Sequence, residues 1–154
     1  MKKVFRTSSG KTVEILSYTL NQIKENPDTK VYIGGDSKLK SNGTVVYYTV
    51  VAFRYGSRGV HYVYNKEVVT RKLTKWERLM GEIEKIMTFA TWFLDNSPVK
   101  LFAIDFDLNQ DKKYYSNKLV NLATGWGGSL GVRVYTKPDE VVASKAADHL
   151  TNRY

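Results

Sequence analysis

Four carboxylates stand where an acid has no obvious structural work. Asp36 follows a β-branched and aromatic run, Val31-Tyr32-Ile33, and then two glycines, Gly34 and Gly35. In the stretch 99–108, alternation puts Leu101, Ala103, Asp105 and Asp107 on one face, against Phe102, Ile104, Phe106 and Leu108 on the other. Two carboxylates on one face near the end of a central strand are costly unless paired, hydrated or metal-bound. Glu82 flanks the helical stripe Ile83, Ile86, Ala90 and Phe93, from where it can look across at a sheet. Asp148, in KAADHL, lies mid-helix beside Ala147 and Leu150, where a carboxylate has no capping role.

Each acid also has a plainer reading. Asp36 could mark a turn, and Asp105 and Asp107 a solvated strand end. Glu82 and Asp148 could sit on wet helix faces. Other acids are better explained locally. Thr74-Lys75-Trp76-Glu77 matches a capping box, which accounts for Glu77. Glu84 falls between the apolar rows, and Asp139, after Pro138, resembles an N-cap.

The four acids taken together argue for a cation. A carboxylate cluster repels itself unless neutralised, and two Mg²⁺ ions about 3.5–4 Å apart would do so while clamping a scissile phosphate. Gly34 and Gly35 would then leave room for a phosphodiester backbone to approach the strand end. With no cysteine and only His61 and His149, thiolate and histidine-rich sites are excluded. The metal is Mg²⁺ or Mn²⁺, held by oxygen. His61 reads as structural, and His149 is not needed.

Charge points to the same partner. Lys and Arg number 24 against 15 Asp and Glu, a net +9, which suits nucleic acid before any membrane surface. No apolar run is long enough to span a bilayer and no signal peptide opens the chain, so the expected location is the cytoplasm. Phosphate-binding candidates are Lys38 and Lys40 beside the first acid, and Arg71, Lys72, Lys75 and Arg78 at the start of the long helix. Lys112, Lys113 and Lys118 follow the fourth strand, interleaved with Tyr114 and Tyr115, and with Ser116 and Asn117 nearby. Those tyrosines could stack on bases, although packing is their commoner use.

The elements that must position these groups follow from periodicity. Val13, Leu16, Leu20 and Ile23 share a helical face over 12–24, which Pro27 ends. Strands are predicted over 30–40, 44–55 and 60–69, joined by Ser41-Asn42-Gly43 and by residues 56–59, an antiparallel meander. A long amphipathic helix covers 74–94. The strand 99–108, a glycine-weakened helix over 116–129, a strand over 132–137 and a last helix over 139–152 complete one domain, residues 1–154. The result is an α/β fold: a mixed five-stranded sheet, the three-strand meander plus parallel strands, flanked by helices and preceded by an extra N-terminal helix.

This order, with acids at these places, resembles the ribonuclease H-like fold, and more closely the YkuK-type family of ribonuclease H-like bacterial proteins. The matching stretches are IGGDSK (33–38), DLN (107–109), YSNKL (115–119) and KPDEVVASKAADH (137–149), within a resemblance running from about Val13 to Asn152. It implies metal-binding acids at Asp36, Glu82, Asp107 and Asp148, with one or two Mg²⁺ or Mn²⁺. Asp105 adds an acid on the face of Asp107, and Asp139 competes with Asp148 for the fourth place. Gly35 and Lys38 depart from the Thr and Gln of the family pattern. The implied activity is metal-dependent hydrolysis of RNA, an RNA/DNA hybrid or structured DNA. The alternative is a non-catalytic nucleic-acid-binding module, because the fold also hosts members that are not nucleases.

Overall fold

The computed structural model describes residues 4–109, 115–137, 139 and 141–153. Its centre is the predicted meander: β3 (Lys30–Leu39), β4 (Val45–Arg54) and β5 (Val60–Val69). They pair antiparallel in continuous register, Lys30 to Leu39 against Arg54 to Val45, and Val45 to Arg54 against Val69 to Val60. The Asn42-Gly43 turn closes as expected, with Gly43 at φ +88 and the Thr44 amide bonded to the Asn42 side chain at 3.1 Å.

With β1 (Val4–Thr7), β2 (Thr12–Glu14), β6 (Ala103–Asn109) and β7 (Arg133–Lys137), the sheet has seven strands among the described residues, not five, in the order β2-β1-β5-β4-β3-β6-β7. The two additions are a small N-terminal hairpin, β1 and β2, which extends the β5 edge through Arg6 opposite Tyr64. Strands of three or four residues offer too few alternations to show a period, so the sequence pattern read 12–14 as helix. The first helix, α1 (Ile15–Glu25), instead starts where the Glu14 carboxylate accepts the Leu16 and Ser17 amides. Ile15 and Thr19 are buried, and Leu16 and Ile23 pack half-buried against the core as the periodicity predicts, while Leu20 is exposed.

The long helix α2 (Lys75–Asn96) carries the predicted capping box between Thr74 and Glu77. β6 (Ala103–Asn109) then runs parallel to β3, and β7 (Arg133–Lys137) parallel to β6, the crossover being a 3₁₀ turn, Tyr115–Leu119, and α3 (Val120–Ser129). α4 (Ala143–Arg153) is last.

Alternation along the strands sends side chains into two cores. On one side Val31, Ile33, Val51, Phe53, Ile104 and Phe106 meet Ile83, Ile86, Met87 and Phe93 of α2, with Ile15 of α1 and Ala123 of α3. On the other side Tyr32, Val46, Tyr48, Val50, Ala52 and Ala103 meet Ala143, Ala147 and Leu150 of α4. Asp36, Asp105 and Asp107 belong to this second side, so a single helix governs what surrounds them.

Candidate functional site

β3 and β6 are parallel neighbours, so Asp36 and Asp107 reach the same end of the sheet on the same face, and α4 brings Asp148 over them. One carboxylate oxygen from each of Asp36, Asp107 and Asp148 lies within 4.8 Å of the other two. Asp36 and Asp107 are half-buried and Asp148 is exposed, so the cluster opens to solvent on its α4 side.

The electrostatics follow from that convergence. Burial, above all, pushes Asp36 up to about 7; the Ser37 amide opposes this, while the charges of Asp107 and Asp148 add to it. The closeness of the Asp148 carboxyl thus adds to what burial does at Asp36. Thr151 steadies the pair, its hydroxyl bonding the Asp148 carbonyl at 2.8 Å and standing 3.5 Å from Asp36 Oδ2.

Glu82 stands outside this trio, on the other side of β3. It is 8% exposed and accepts a hydrogen bond from the Ser37 hydroxyl. Burial, and then the nearby Asp36 charge, push it up to about 8. The flanking position thus turns fully inward, and Glu82 grips the residue next to Asp36. Glu77 caps its helix at the surface and Glu84 is exposed.

Asp105 has a different task. Its Oδ1 accepts the Ser144 amide at 2.6 Å, and its Oδ2 accepts those of Ala143 and Val142 at 2.9 and 3.1 Å. It is fully buried, and burial pushes its carboxyl up while these donors pull it back. Asp105 therefore caps α4 from the strand beneath it. Asp139, expected to be that cap, is four residues short of the helix, and its own amide bonds the Thr136 carbonyl at 2.8 Å.

The glycines are also explained by protein rather than by substrate. A Cβ on Gly34 would lie 2.7 Å from Asp105 Oδ1 and 2.9 Å from the Ser144 nitrogen; one on Gly35 would lie 2.3 Å from the Tyr48 carbonyl. The room expected for a phosphodiester is filled by the α4 cap and by β4.

Of the basic candidates, Lys38 spends its ammonium on the Thr151 carbonyl at 2.8 Å, tying β3 to the end of α4. Arg71 pairs with Glu77 at 3.4 Å, and Lys72 and Lys75 are exposed beside it. Lys40 is half-buried at the hairpin, Lys118 is exposed and Asn117 half-buried on the 3₁₀ turn. Lys112, Lys113 and Tyr114 lie outside the described residues. His61 is structural: its Nε2 lies 2.5 Å from the Tyr18 hydroxyl and its ring stacks on Phe53.

The cation at the cluster is one the sequence reading passed over. Lys137 Nζ lies 2.5 Å from Asp107 Oδ1. Alternation along 133–137 was the available signal, since it places Arg133, Tyr135 and Lys137 on one face of the strand beside Asp107.

No curated protein matches this chain. Among solved structures, that of Thermus thermophilus RuvC is similar at 15% identity and a TM-score of 0.36, over 69% of this chain and 62% of that one. The chain thus spans less than two thirds of that protein's length. A family model described as ribonuclease H-like matches residues 12–152, from the second strand to the last helix, and with that match this chain belongs to the ribonuclease H-like family, in its YkuK type.

Proposed function

We propose that the protein is a divalent-metal-dependent nuclease. The observation that carries this reading is the convergence of Asp36, Asp107 and Asp148 within 4.8 Å, at a half-buried strand end of a chain with net charge +9. Like charges brought that close raise one another's proton affinity, and a hard cation relieves the repulsion with a donor set made only of oxygen. The donor set fits Mg²⁺ or Mn²⁺ held by Asp36, Asp107 and Asp148, with Glu82 standing behind.

A bound ion would supply Lewis-acid stabilisation of the charge developing on a phosphoryl oxygen. The chain supplies the rest. Glu82 and Ser37 hold the strand beside Asp36, Asp105 holds the helix that carries Asp148, and Lys38 fixes the far end of that helix. Basic side chains at the start of α2 and on the 3₁₀ turn would hold phosphates without reading bases. The substrate is nucleic acid: RNA, an RNA/DNA hybrid or structured DNA.

The test is calorimetric titration of Mn²⁺ into the wild type and Asp36→Asn, followed by cleavage assays on those substrates. Binding and cleavage by the wild type, both lost in the variant, support the reading. Cleavage retained by Asp36→Asn overturns it.

A non-catalytic nucleic-acid-binding module has one observation in its favour. Lys137 already places a positive charge against Asp107, so the cluster is partly neutralised from within. Salt-dependent nucleic-acid binding without Mn²⁺ uptake, even with nucleic acid present, would select this reading.

A further inference from the structure

The sheet face that carries Asp36 is only half covered. α4 lies over β3, β4 and β6 and reaches only the margin of β5, so among the described residues most of the β5 and β1 side of the same face is uncovered. Register identifies what that side presents. Asp36 is opposite Tyr48, Tyr48 is opposite Lys66, and Tyr64, two residues along, is opposite Arg6. The Tyr48 and Tyr64 rings lie 5.9 Å apart and tilted. With Val4, Arg6, Asn65 and Lys66 they line a groove of about 580 Å³. Arg6 and Lys66 are exposed, Tyr64 is half-buried and Tyr48 is buried beneath it, and Val4, Val60 and Val68 are among the exposed large apolar residues.

A half-buried aromatic ring, apolar side chains and two cations on one strip, leading to a carboxylate cluster, describe a particular ligand. We propose that this open half of the sheet is a binding platform for an unpaired nucleic-acid strand, which runs from the carboxylate cluster past the edge of Tyr48 and across Tyr64 to Arg6. Three strand spacings separate β3 from β1, about 14 Å, enough for two or three nucleotides. A ring on a flat sheet can stack on a base only when that base is out of its duplex. Arg6 and Lys66 are placed to take the phosphates. A second copy of this chain is the other conceivable occupant of an apolar strip. A two-fold contact centred here would bring Arg6 and Lys66 close to their own copies, a repulsion that a polyanion removes.

The inference rests on the nucleic-acid reading above and names its substrate class as single-stranded. Its test separates the two. Fluorescence anisotropy with a labelled 12-nucleotide RNA and the blunt duplex of the same sequence, in chelator so that nothing is cut, reads the platform alone. The wild type binds the single strand more tightly than the duplex. Arg6→Ala/Lys66→Ala weakens single-strand binding and lowers the salt slope by about 1.4, two phosphates at about 0.7 each. Tyr64→Leu weakens it roughly 5- to 100-fold, the range of stacking on one ring.

The double variant alters only exposed side chains, so it keeps the test valid where Tyr64→Leu loosens the fold. Unchanged affinity in the double variant, or equal affinity for duplex and single strand, overturns the platform. So does a dimer in sedimentation that Val68→Glu dissociates. If cleavage is lost in Asp36→Asn while the platform variants bind normally, the platform fails and the nuclease stands. If the platform variants lose binding while no divalent ion is taken up, the nuclease fails and the platform stands.

Discussion

Asp105 and Ser144 are bonded twice: the Ser144 amide donates to Asp105 Oδ1 at 2.6 Å, and its hydroxyl donates to the Asp105 carbonyl at 2.9 Å. With the amides of Val142 and Ala143 on Oδ2, one side chain of β6 satisfies the start of α4. The carboxylate two residues along the same strand, Asp107, then meets Asp148 from that helix. The spacing of the candidate site is therefore set by a residue outside it.

Asp105→Ala should destabilise the protein by about 3 kcal/mol, since an N-cap is lost and buried amides are left without acceptors. Urea unfolding measures the loss. The variant should also bind Mn²⁺ more weakly than wild type under conditions where both are folded, because the placement of Asp148 depends on the cap.

Gly34→Ala should cost about 1–3 kcal/mol, because the new Cβ would stand 2.7 Å from Asp105 Oδ1 and 2.9 Å from the Ser144 nitrogen. Gly35→Ala should be at least as costly, since its neighbour at 2.3 Å is the Tyr48 backbone carbonyl. Gly125→Ala is the control. A Cβ there meets nothing within 4 Å, and it lies inside α3, where Ala is favoured over Gly by about 1 kcal/mol. Thermal melts should show Gly35→Ala and Gly34→Ala melting below wild type, Gly35→Ala at least as low, and Gly125→Ala melting above it.

The raised carboxyls make the metal-free protein sensitive to alkali rather than to acid. Asp36 is raised from 3.8 to about 7 and Glu82 from 4.5 to about 8. Between the ordinary and raised values the folded state holds protons that the unfolded chain has released. Their contribution is complete below about pH 4 and is lost as pH rises through 7 and 8. In chelator, stability attributable to these groups should fall from about pH 4 to about pH 8, and Asp36→Asn should flatten the decline. Saturating Mn²⁺ should restore wild-type stability at the alkaline end. A decline of equal slope in the variant would contradict this.

Lys137→Met should bind Mn²⁺ more tightly than wild type. The ammonium 2.5 Å from Asp107 occupies a lone pair that an ion would need, so removing it removes a competitor. Calorimetry should show the gain as roughly a tenfold lower Kd, of the order expected for one charge at a partly exposed position. An unchanged or weaker affinity would mean that Lys137 swings clear without cost.

Patterns that lie within one element were legible in the sequence. The meander was readable because three strands of ten residues each are rich in β-branched and aromatic residues and are joined by strong turn signals, and α2 because its apolar stripe and capping box are local. The family resemblance was legible for the same reason, and it led to Asp36, Asp107 and Asp148. Two N-terminal strands were not legible, being shorter than the periods that would reveal them. What the sequence left open or misread depends on what lies opposite. Asp105 and Asp107 share a face and a residue type, yet one caps a helix 37 residues away at Val142 and the other stands at the open cluster beside Lys137. Gly34 and Gly35 suggested room for a ligand and are filled by Asp105, Ser144 and the β4 backbone. Local periodicity states which face a side chain takes. Only the packing of α4 across parallel β3 and β6 decides which of the acids on that face is buried against amide donors and which is left facing others of its own charge.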